Sequence, residues 1–282
     1  MTRYITIILS LIAALTASAS DESAATVRPV HAAYMLEVGG ARLADTYLSP
    51  IPYSGVHFGF TYQRYQAMNF SPDRWTMSLT VGVSLDKTRN HARNASMWDA
   101  ALSADWGMMR RYAVTPWLTL APGASTAVTG GATYTPSNSN NPVSAKASWT
   151  INFTGLASAR FHIKRLPVMV TYRPTLPVAG VFFSPDYGEL YYEIYLGNSS
   201  GLAHAAWWGN YFLLDNLLTA ELELGSTFLS VGYRGSIFST RINHLTTNIF
   251  THSFVIGISG EWLSLNPRRE LPARSRVIHA LY

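Results

Sequence analysis

Apolar residues alternate with small or polar residues in one segment after another of this chain. Between Trp75 and Leu85 every second residue is large and apolar, and the intervening residues are Thr, Ser and Gly. A period of two is typical of a β-strand with one apolar and one polar face. The pattern predicts further strands at Tyr34–Leu43, Val56–Tyr65, Met97–Trp106, Thr115–Gly123, Trp149–Phe161, Leu166–Arg173, Leu190–Leu196, Ala205–Leu213, Leu218–Leu224, around Leu229–Tyr233 and at Ile249–Trp262.

Two architectures are built from such strands. In a soluble sandwich the apolar faces meet in a core, whereas in a membrane barrel they face lipid and the polar faces line a lumen. The sequence favours an all-β, antiparallel transmembrane β-barrel of about 12 strands, or 10 if Leu190–Leu213 is a loop element. A periplasmic β-sandwich is the alternative.

Composition supports the barrel. Charged residues make up 13% of the chain, against about 25% in ordinary soluble domains. Aromatic residues make up another 13%, and cysteine is absent, which excludes disulfides and thiol chemistry. Five tryptophans lie near predicted strand ends, where a membrane-interface girdle would place them: Trp75, Trp98, Trp106, Trp149 and Trp262.

The first residues resemble an export signal. Arg3 precedes the apolar run Ile5–Leu15, and Ala17-Ser18-Ala19 forms a small-residue cleavage site. The run is too short to cross a bilayer core of about 30 Å as a helix. We therefore expect a signal peptide (1–19), a leader (20–33), a barrel (34–262) and a basic C-terminal tail (263–282), with the mature protein in the outer membrane.

The net charge of +5 comes largely from the predicted tail, which holds Arg268, Arg269, Glu270, Arg274 and Arg276. A basic tail does not make the chain a nucleic-acid binder. The expected partners are outer-membrane lipids and the barrel-assembly machinery, the expected state is a monomer, and the ligand is left open.

Ionisable residues collect on the polar parity of the strands. Charges at membrane depth are costly unless they face a lumen and pair there. The expectation is an ion-pair network that plugs a small barrel; a narrow selective pore or a catalytic cluster is the alternative. The lumen-facing candidates are Asp99, Asp105, Arg160, Arg173, Glu193, Glu221, Glu223, Arg234 and Glu261.

No catalytic or metal site is predicted. An acyl hydrolase needs a serine and a histidine within about 3 Å, and neither a G-x-S-x-G nor an H-E-x-x-H motif is present. Without cysteine or paired histidines, no metal and no cofactor are expected. The available histidines are His57, His162, His204, His244 and His252, of which His244 lies in a predicted long loop, Ile237–Thr247. Another long loop is expected at Tyr134–Lys146.

Four short strings carry a resemblance to a known group of proteins. They begin at Leu43 (LADTYLSP), Ser184 (SPDY), Tyr192 (YEIYLGN) and Ser253 (SFVIGI). Together they resemble an uncharacterised exported outer-membrane β-barrel family of Bacteroides-type Gram-negative bacteria. The resemblance implies a location rather than an activity.

The expected role is non-enzymatic: envelope structure, or binding or passage of a small or lipidic ligand. A membrane-embedded lipid or lipopolysaccharide acyl hydrolase is the alternative. By pattern Trp262 is the terminal aromatic residue of the last strand, so the tail either extends into the periplasm or ends at Tyr282 in a further short strand.

Overall fold

The computed structural model describes residues 26–139, 141–164, 166–197, 200–224, 227–262 and 275–282. The predicted signal peptide, the first residues of the leader and residues 263–274 of the tail lie outside these ranges. None of the helices in the described ranges has the length and hydropathy needed to cross a membrane.

The described residues form fourteen strands and one short helix. In chain order these are β1 (Thr26–Val27), β2 (Val30–Asp45), β3 (Tyr53–Ala67), β4 (Trp75–Asn90), β5 (Ser96–Arg110), β6 (Tyr112–Thr115), β7 (Leu118–Tyr134), β8 (Val143–Ile163), β9 (Leu166–Phe183), α1 (Tyr191–Tyr195), β10 (Ala203–Ala206), β11 (Tyr211–Leu224), β12 (Thr227–Ile242), β13 (Leu245–Trp262) and β14 (Arg276–Val277).

Ten long antiparallel strands close into a barrel. The ring runs β2-β3-β4-β5-β7-β8-β9-β11-β12-β13, and β13 pairs back onto β2 from Thr247↔Asp45 to Trp262↔Val30. The predicted all-β antiparallel barrel is confirmed. The ring has the alternative number of ten strands, and the short β6 and β10 bring the sheet to twelve. Because the ring has no open edge, the sandwich alternative is wrong.

The two faces of the strands follow the predicted parity. On β4, Thr76, Ser78 and Thr88 are buried inside the barrel, while Val83 and Leu85 are exposed on the outside. The exposed large side chains of the other strands, such as Leu36, Phe58, Leu102, Phe153 and Phe254, share this outer surface. An outer face this apolar suits lipid rather than water.

The strands extend beyond the predicted ends. β4 was expected to end at Leu85 but continues to Asn90, with Asp86, Thr88 and Asn90 still facing inward. Lys87 and Arg89 face outward there. Alternation of apolar and polar residues stops where a strand leaves the apolar outer belt, although its hydrogen-bonded ladder continues.

Three predicted elements are wrong. Leu190–Leu196 is not a strand, since residues 191–195 form α1 in the long connection between β9 and β11. Ala205–Leu213 is divided between β10 and β11, and Thr115–Gly123 spans the turn at Pro116 between β6 and β7. In each case the alternation is short, and chain-breaking residues lie within or beside it.

Two predicted boundaries also differ. The expected long loop Ile237–Thr247 is a tight hairpin, in which Asn243 and His244 both have positive φ (53° and 61°), as a type I′ turn requires. β2 begins at Val30, inside the expected leader, because its ladder with β13 starts there.

The two ends of the barrel differ. One end, here called the loop end, carries connections 46–52, 91–95, 135–142, 184–210 and the turn at 243–244. The other, the terminal end, carries connections 68–74 and 111–117, the short links from β8 to β9 and from β11 to β12, and the parallel pair β1–β14. There the described tail, residues 275–282, folds back into the mouth of the barrel. The described tail therefore lies in the mouth of the barrel rather than extending away from it, and its short strand β14 ends at Val277 rather than at Tyr282.

Candidate ligand-binding cavity

A cavity of about 250 Å³ lies inside the loop-end half of the barrel. Its lining includes Asp45 and Tyr47 near the loop end and reaches down to Arg173 and Arg234. The strands place these groups because every inward residue is followed by an outward one, so charged residues two apart share the lumen. The cavity has a charged floor, a carboxylate-rich wall and an aromatic wall.

Arg234 of β12 forms the centre of the floor. Its Nε and Nη2 donate to the two carboxylate oxygens of Asp215 at 2.8 and 3.0 Å. Its Nη1 donates to Glu37 Oε1 and Thr61 Oγ1, both at 2.9 Å. One guanidinium therefore joins β11 and β12 to β2 and β3 across the lumen. A forked arginine pairing of this kind is both strong and geometrically specific.

His57 extends the network from Glu37 to Asp86. Its Nε2 lies 3.7 Å from Glu37 Oε2, and its Nδ1 lies 2.6 Å from Asp86 Oδ1. Gly59 faces the same space, where a β-carbon would stand 3.2 Å from the Glu37 side chain, so the glycine leaves the room that this carboxylate occupies. Because both ring nitrogens face carboxylates, His57 acts here as an ion-pair partner rather than as a poised base.

A second network crosses the lumen at Arg173 of β9. This side chain donates to Thr80 Oγ1 at 2.8 Å and forms an ion pair with Asp105. Asp105 Oδ2 also accepts from Ser125 Oγ at 2.6 Å and Asn152 Nδ2 at 3.2 Å. The two networks together fill the lumen beneath the cavity with side chains from opposite strands.

Two further carboxylates line the cavity. Asp99 pairs with Lys146 and accepts from Thr133 Oγ1 at 2.6 Å. Asp45 is 2% exposed, and its Oδ1 accepts from the backbone N–H of Tyr47 at 3.0 Å. Within the described part of the chain, Asp45 Oδ2 makes no hydrogen bond of standard geometry.

The opposite wall is aromatic and aliphatic. Tyr211 packs against Phe182 and Phe238, with ring centroids 5.2 and 5.4 Å apart. Leu213 and Ile249 continue this surface along the cavity. Aromatic rings at these distances are in favourable tilted or edge contact and offer a firm apolar face to a ligand.

The long connection 184–210 partly roofs the cavity. Tyr191 of α1 contacts the ring of Tyr47 edge-on at 5.8 Å, and the Tyr47 hydroxyl donates to the Glu189 carbonyl at 2.7 Å. Burial raises the pKa of Tyr47 to about 12 and also raises the pKa of Tyr191. Both phenols therefore stay neutral in ordinary conditions and hold the connection by hydrogen bonds.

The lumen below the floor is closed in layers. Met35, Leu217 and Val255 form a buried apolar layer, and His31 reaches across to Glu221 at 3.2 Å. Below these, Leu281 packs with Met109, both almost fully buried, in a second apolar cluster that the tail completes.

The tail is also fixed by polar contacts. Thr76 Oγ1 donates to the Ala280 carbonyl at 2.7 Å, and Arg111 donates to the Tyr282 carbonyl at 3.0 Å. His279 Nδ1 lies 2.7 Å from Glu261 Oε2. The tail thus closes the terminal end as part of the folded interior.

Eight of the nine predicted lumen charges fall into three groups. Asp99, Asp105, Arg173 and Arg234 line the cavity, and Glu221 lies in the layer below it. Arg160, Glu223 and Glu261 surround the tail, with the Arg160 guanidinium 3.4 Å from the Tyr282 ring centroid. Glu193 is not in a strand: it lies in α1, where its carboxylate accepts from the Leu190 N–H at 3.1 Å.

The five predicted girdle tryptophans all project from the outer parity of their strands. Trp106, Trp149 and Trp262 are exposed, and Trp75 and Trp98 are partly exposed. Lys87 lies 4.8 Å from the Trp98 ring centroid, a cation–π contact on the outside of the barrel.

Four of the six carboxylates that line the cavity are not among the predicted lumen charges: Glu37, Asp45, Asp86 and Asp215. The side chains of His57 and Lys146 also line it without having been predicted there. Glu37 and His57 lie on the polar parity of predicted strands, so the signal was present. Asp45 and Asp86 lie just beyond the predicted strand ends.

No group of three or more His, Asp or Glu side chains among the described residues has metal-binding geometry. His204 contacts the Ser184 carbonyl at 3.0 Å and the Asn243 amide at 3.2 Å.

A closed antiparallel ring with an apolar outside and a polar inside has the fold of an outer-membrane β-barrel. The chain belongs to the family described as "Protein of unknown function (DUF3316)", whose model matches residues 4–269. This confirms the resemblance to an uncharacterised family, while a Bacteroides-type source stays a prediction. No curated protein matches significantly.

Solved structures with a similar outline are outer-membrane or autotransporter barrels. The outer membrane protease OmpT from Escherichia coli is 7% identical, with a TM-score of 0.47, over 83% of this chain and 97% of that chain. The beta domain of the Bordetella autotransporter BrkA is 10% identical, with a TM-score of 0.42, over 84% and 100%. The translocator domain of autotransporter NalP from Neisseria meningitidis is 11% identical, with a TM-score of 0.39, over 93% and 95%.

Proposed function

We propose that this protein is a monomeric outer-membrane barrel that binds a small amphiphilic ligand in the loop-end cavity and does not conduct ions freely. The observation that carries the proposal is a cavity of about 250 Å³ above a filled lumen. A cavity with one charged and one aromatic wall offers both apolar burial and fixed polar contacts, as small-molecule sites do.

The outer membrane is the proposed location because the outward residues suit lipid. Exposed Leu36, Val38, Phe58 and Phe60 on neighbouring strands would be a large unpaired apolar surface in water. In a bilayer the same surface is satisfied without a partner subunit, so a monomer suffices.

The filled lumen makes an open pore the less favoured role. Arg234 and Arg173 cross the barrel below the cavity, and the tail occupies the terminal end. In planar lipid bilayers we expect the purified full chain to produce no stable conductance steps. Reproducible steps whose ion selectivity changes in Arg234→Ala or Glu221→Ala would contradict the proposal and support a selective pore.

Ligand binding is tested by filling the cavity. Ser236 of β12 lines it, whereas Ser54 of β3 is exposed on the outer face, so Ser236→Trp and Ser54→Trp form a matched pair. We expect Ser236→Trp to abolish binding of small aromatic probes (phenethylamine, phenethyl alcohol and hydrocinnamate) that is measured calorimetrically in lipid nanodiscs. Ser54→Trp should bind them as the unchanged chain does, because interface positions tolerate tryptophan.

The pair also separates specific binding from partitioning into lipid. Equal heats for both variants and the unchanged chain would mean that the probes enter the bilayer rather than the cavity, and the proposed function would then be wrong.

A further inference from the structure

The charges that line the cavity do not balance. Six carboxylates face it, against three permanently charged cations and one histidine. Counted by formal charge, acidic groups outnumber basic groups in the lining even when His57 is included. The carboxylates are Glu37, Asp45, Asp86, Asp99, Asp105 and Asp215, and the cations are Lys146, Arg173 and Arg234.

Internal ion pairs account for five of these carboxylates. Lys146 pairs with Asp99, and Arg173 pairs with Asp105. Arg234 joins Glu37 and Asp215, and His57 contacts Asp86. Each cation of the floor is thus paired with a carboxylate of the protein, although the Arg173 Nε has no hydrogen-bond partner among the described residues.

Asp45 is the carboxylate without a cation of its own. It is 2% exposed, it lines the cavity beside Ser144 and Lys146, and within the described residues its Oδ2 makes no hydrogen bond of standard geometry. A buried carboxylate oxygen without a partner is costly, and a ligand that donates hydrogen bonds and carries positive charge would satisfy it. A second observation points the same way, because the opposite wall is formed by the rings of Phe182, Tyr211 and Phe238.

Aromatic faces attract cations as well as apolar groups. A ligand with an ammonium or guanidinium group on a small apolar body would therefore complement both walls at once. An anionic headgroup would be repelled by the carboxylate-rich wall. A neutral lipid tail would offer no hydrogen-bond donor to Asp45.

We propose that the cavity selects a small organic cation, an ammonium or guanidinium group carried on an aromatic or aliphatic body, and that Asp45 receives the positive charge. This proposal rests on the proposed binding function and names its ligand class. The natural ligand would then be an amine-bearing small molecule rather than a fatty acid or a sugar phosphate.

The test compares three probes of similar shape and different charge: phenethylamine, phenethyl alcohol and hydrocinnamate. With the full chain in lipid nanodiscs, we expect the cation to bind at least tenfold more tightly than the neutral alcohol, and the anion to bind most weakly. This comparison uses the unchanged protein, so it stands even if a variant fails to fold.

The variant Asp45→Asn keeps the shape of the side chain and removes its charge. We expect it to lower the affinity for phenethylamine at least tenfold and to change the affinity for phenethyl alcohol by less than twofold. Asp73→Asn is the matched control, because Asp73 is exposed at the terminal end and contacts only the exposed Arg276 among the described residues. A variant is folded if its unboiled sample migrates on a denaturing gel at the same position as the unboiled unchanged chain.

The outcomes distinguish the two proposals. Tighter binding of the alcohol or the anion, or unchanged affinity for the amine in Asp45→Asn, overturns the cation proposal and leaves the cavity as a binding site. Binding of none of the probes, or equal binding by Ser236→Trp, overturns both.

Discussion

Replacing Arg234 with alanine will lower the free energy of unfolding of the barrel by about 3 kcal/mol, the lower end of the range for breaking a buried ion pair. The change removes four hydrogen bonds and leaves Glu37 and Asp215 with no cation between them. Glu37 is buried, so water cannot replace the guanidinium without reorganising the floor. Urea unfolding of vesicle-embedded barrels, followed by gel mobility and tryptophan fluorescence, measures the loss.

Arg241→Ala is the control for this prediction. Arg241 lies on the same strand, and its side chain is exposed, so we expect a change within about 0.5 kcal/mol. The triple change Arg234→Met, Glu37→Gln and Asp215→Asn should recover part of the lost stability, because it removes the stranded charges as well. If Arg234→Ala unfolds at the same urea concentration as Arg241→Ala, the Arg234 ion pairs do not contribute measurably to the free energy of unfolding.

The outward-facing surface of the barrel could be predicted from the sequence for a physical reason. A lipid-facing surface demands an apolar residue at every second position, so Trp75–Leu85 and Trp149–Phe161 show their orientation directly. Interior charges such as Asp105 and Arg173 follow from the same parity. Their pairing across the lumen does not, because partners from strands distant along the chain meet only after the ring closes.

The cavity was harder to predict because two of its carboxylates, Asp45 and Asp86, lie just beyond the predicted strand ends. Asp45 ends β2, and Asp86 lies in the part of β4 where Lys87 and Arg89 face outward. Beyond the apolar belt, both faces of a strand become polar, and a period of two in hydrophobicity is lost. A strand end can then be located only from its hydrogen-bonded neighbour, as the β3–β4 register shows.

At the terminal end, several inward-facing positions of the strands are apolar rather than polar. Met35, Tyr65, Met109, Leu156 and Met169 lie on the interior parity, yet they are apolar and buried. The tail explains all of these residues except Met35, because Ala280 and Leu281 pack among them. Sequence alone could not reveal this contact, since the tail follows the last strand and carries no alternation of its own.

Replacing Leu281 with alanine will release the tail from the terminal end. Leu281 is 1% exposed and packs in a cluster with Met109, Leu156 and Met169. Truncation of a buried leucine costs about 2–5 kcal/mol, because it loses apolar burial and leaves a cavity. A cost of about 3 kcal/mol raises the population of undocked tail roughly a hundredfold. The rate at which carboxypeptidase Y removes C-terminal residues from the folded barrel, followed by mass spectrometry, reports this population.

Val277→Ala supplies the comparison, because Val277 is an apolar residue of the same tail whose side chain is exposed. We expect its digestion rate to match that of the unchanged chain. Similar rates for Leu281→Ala and Val277→Ala would show that the apolar cluster does not hold the tail. Faster digestion of Leu281→Ala alone, with unchanged gel mobility of the barrel, would show that the tail docks onto a ring already closed by its ten strands, and that the terminal end is sealed by a separable segment.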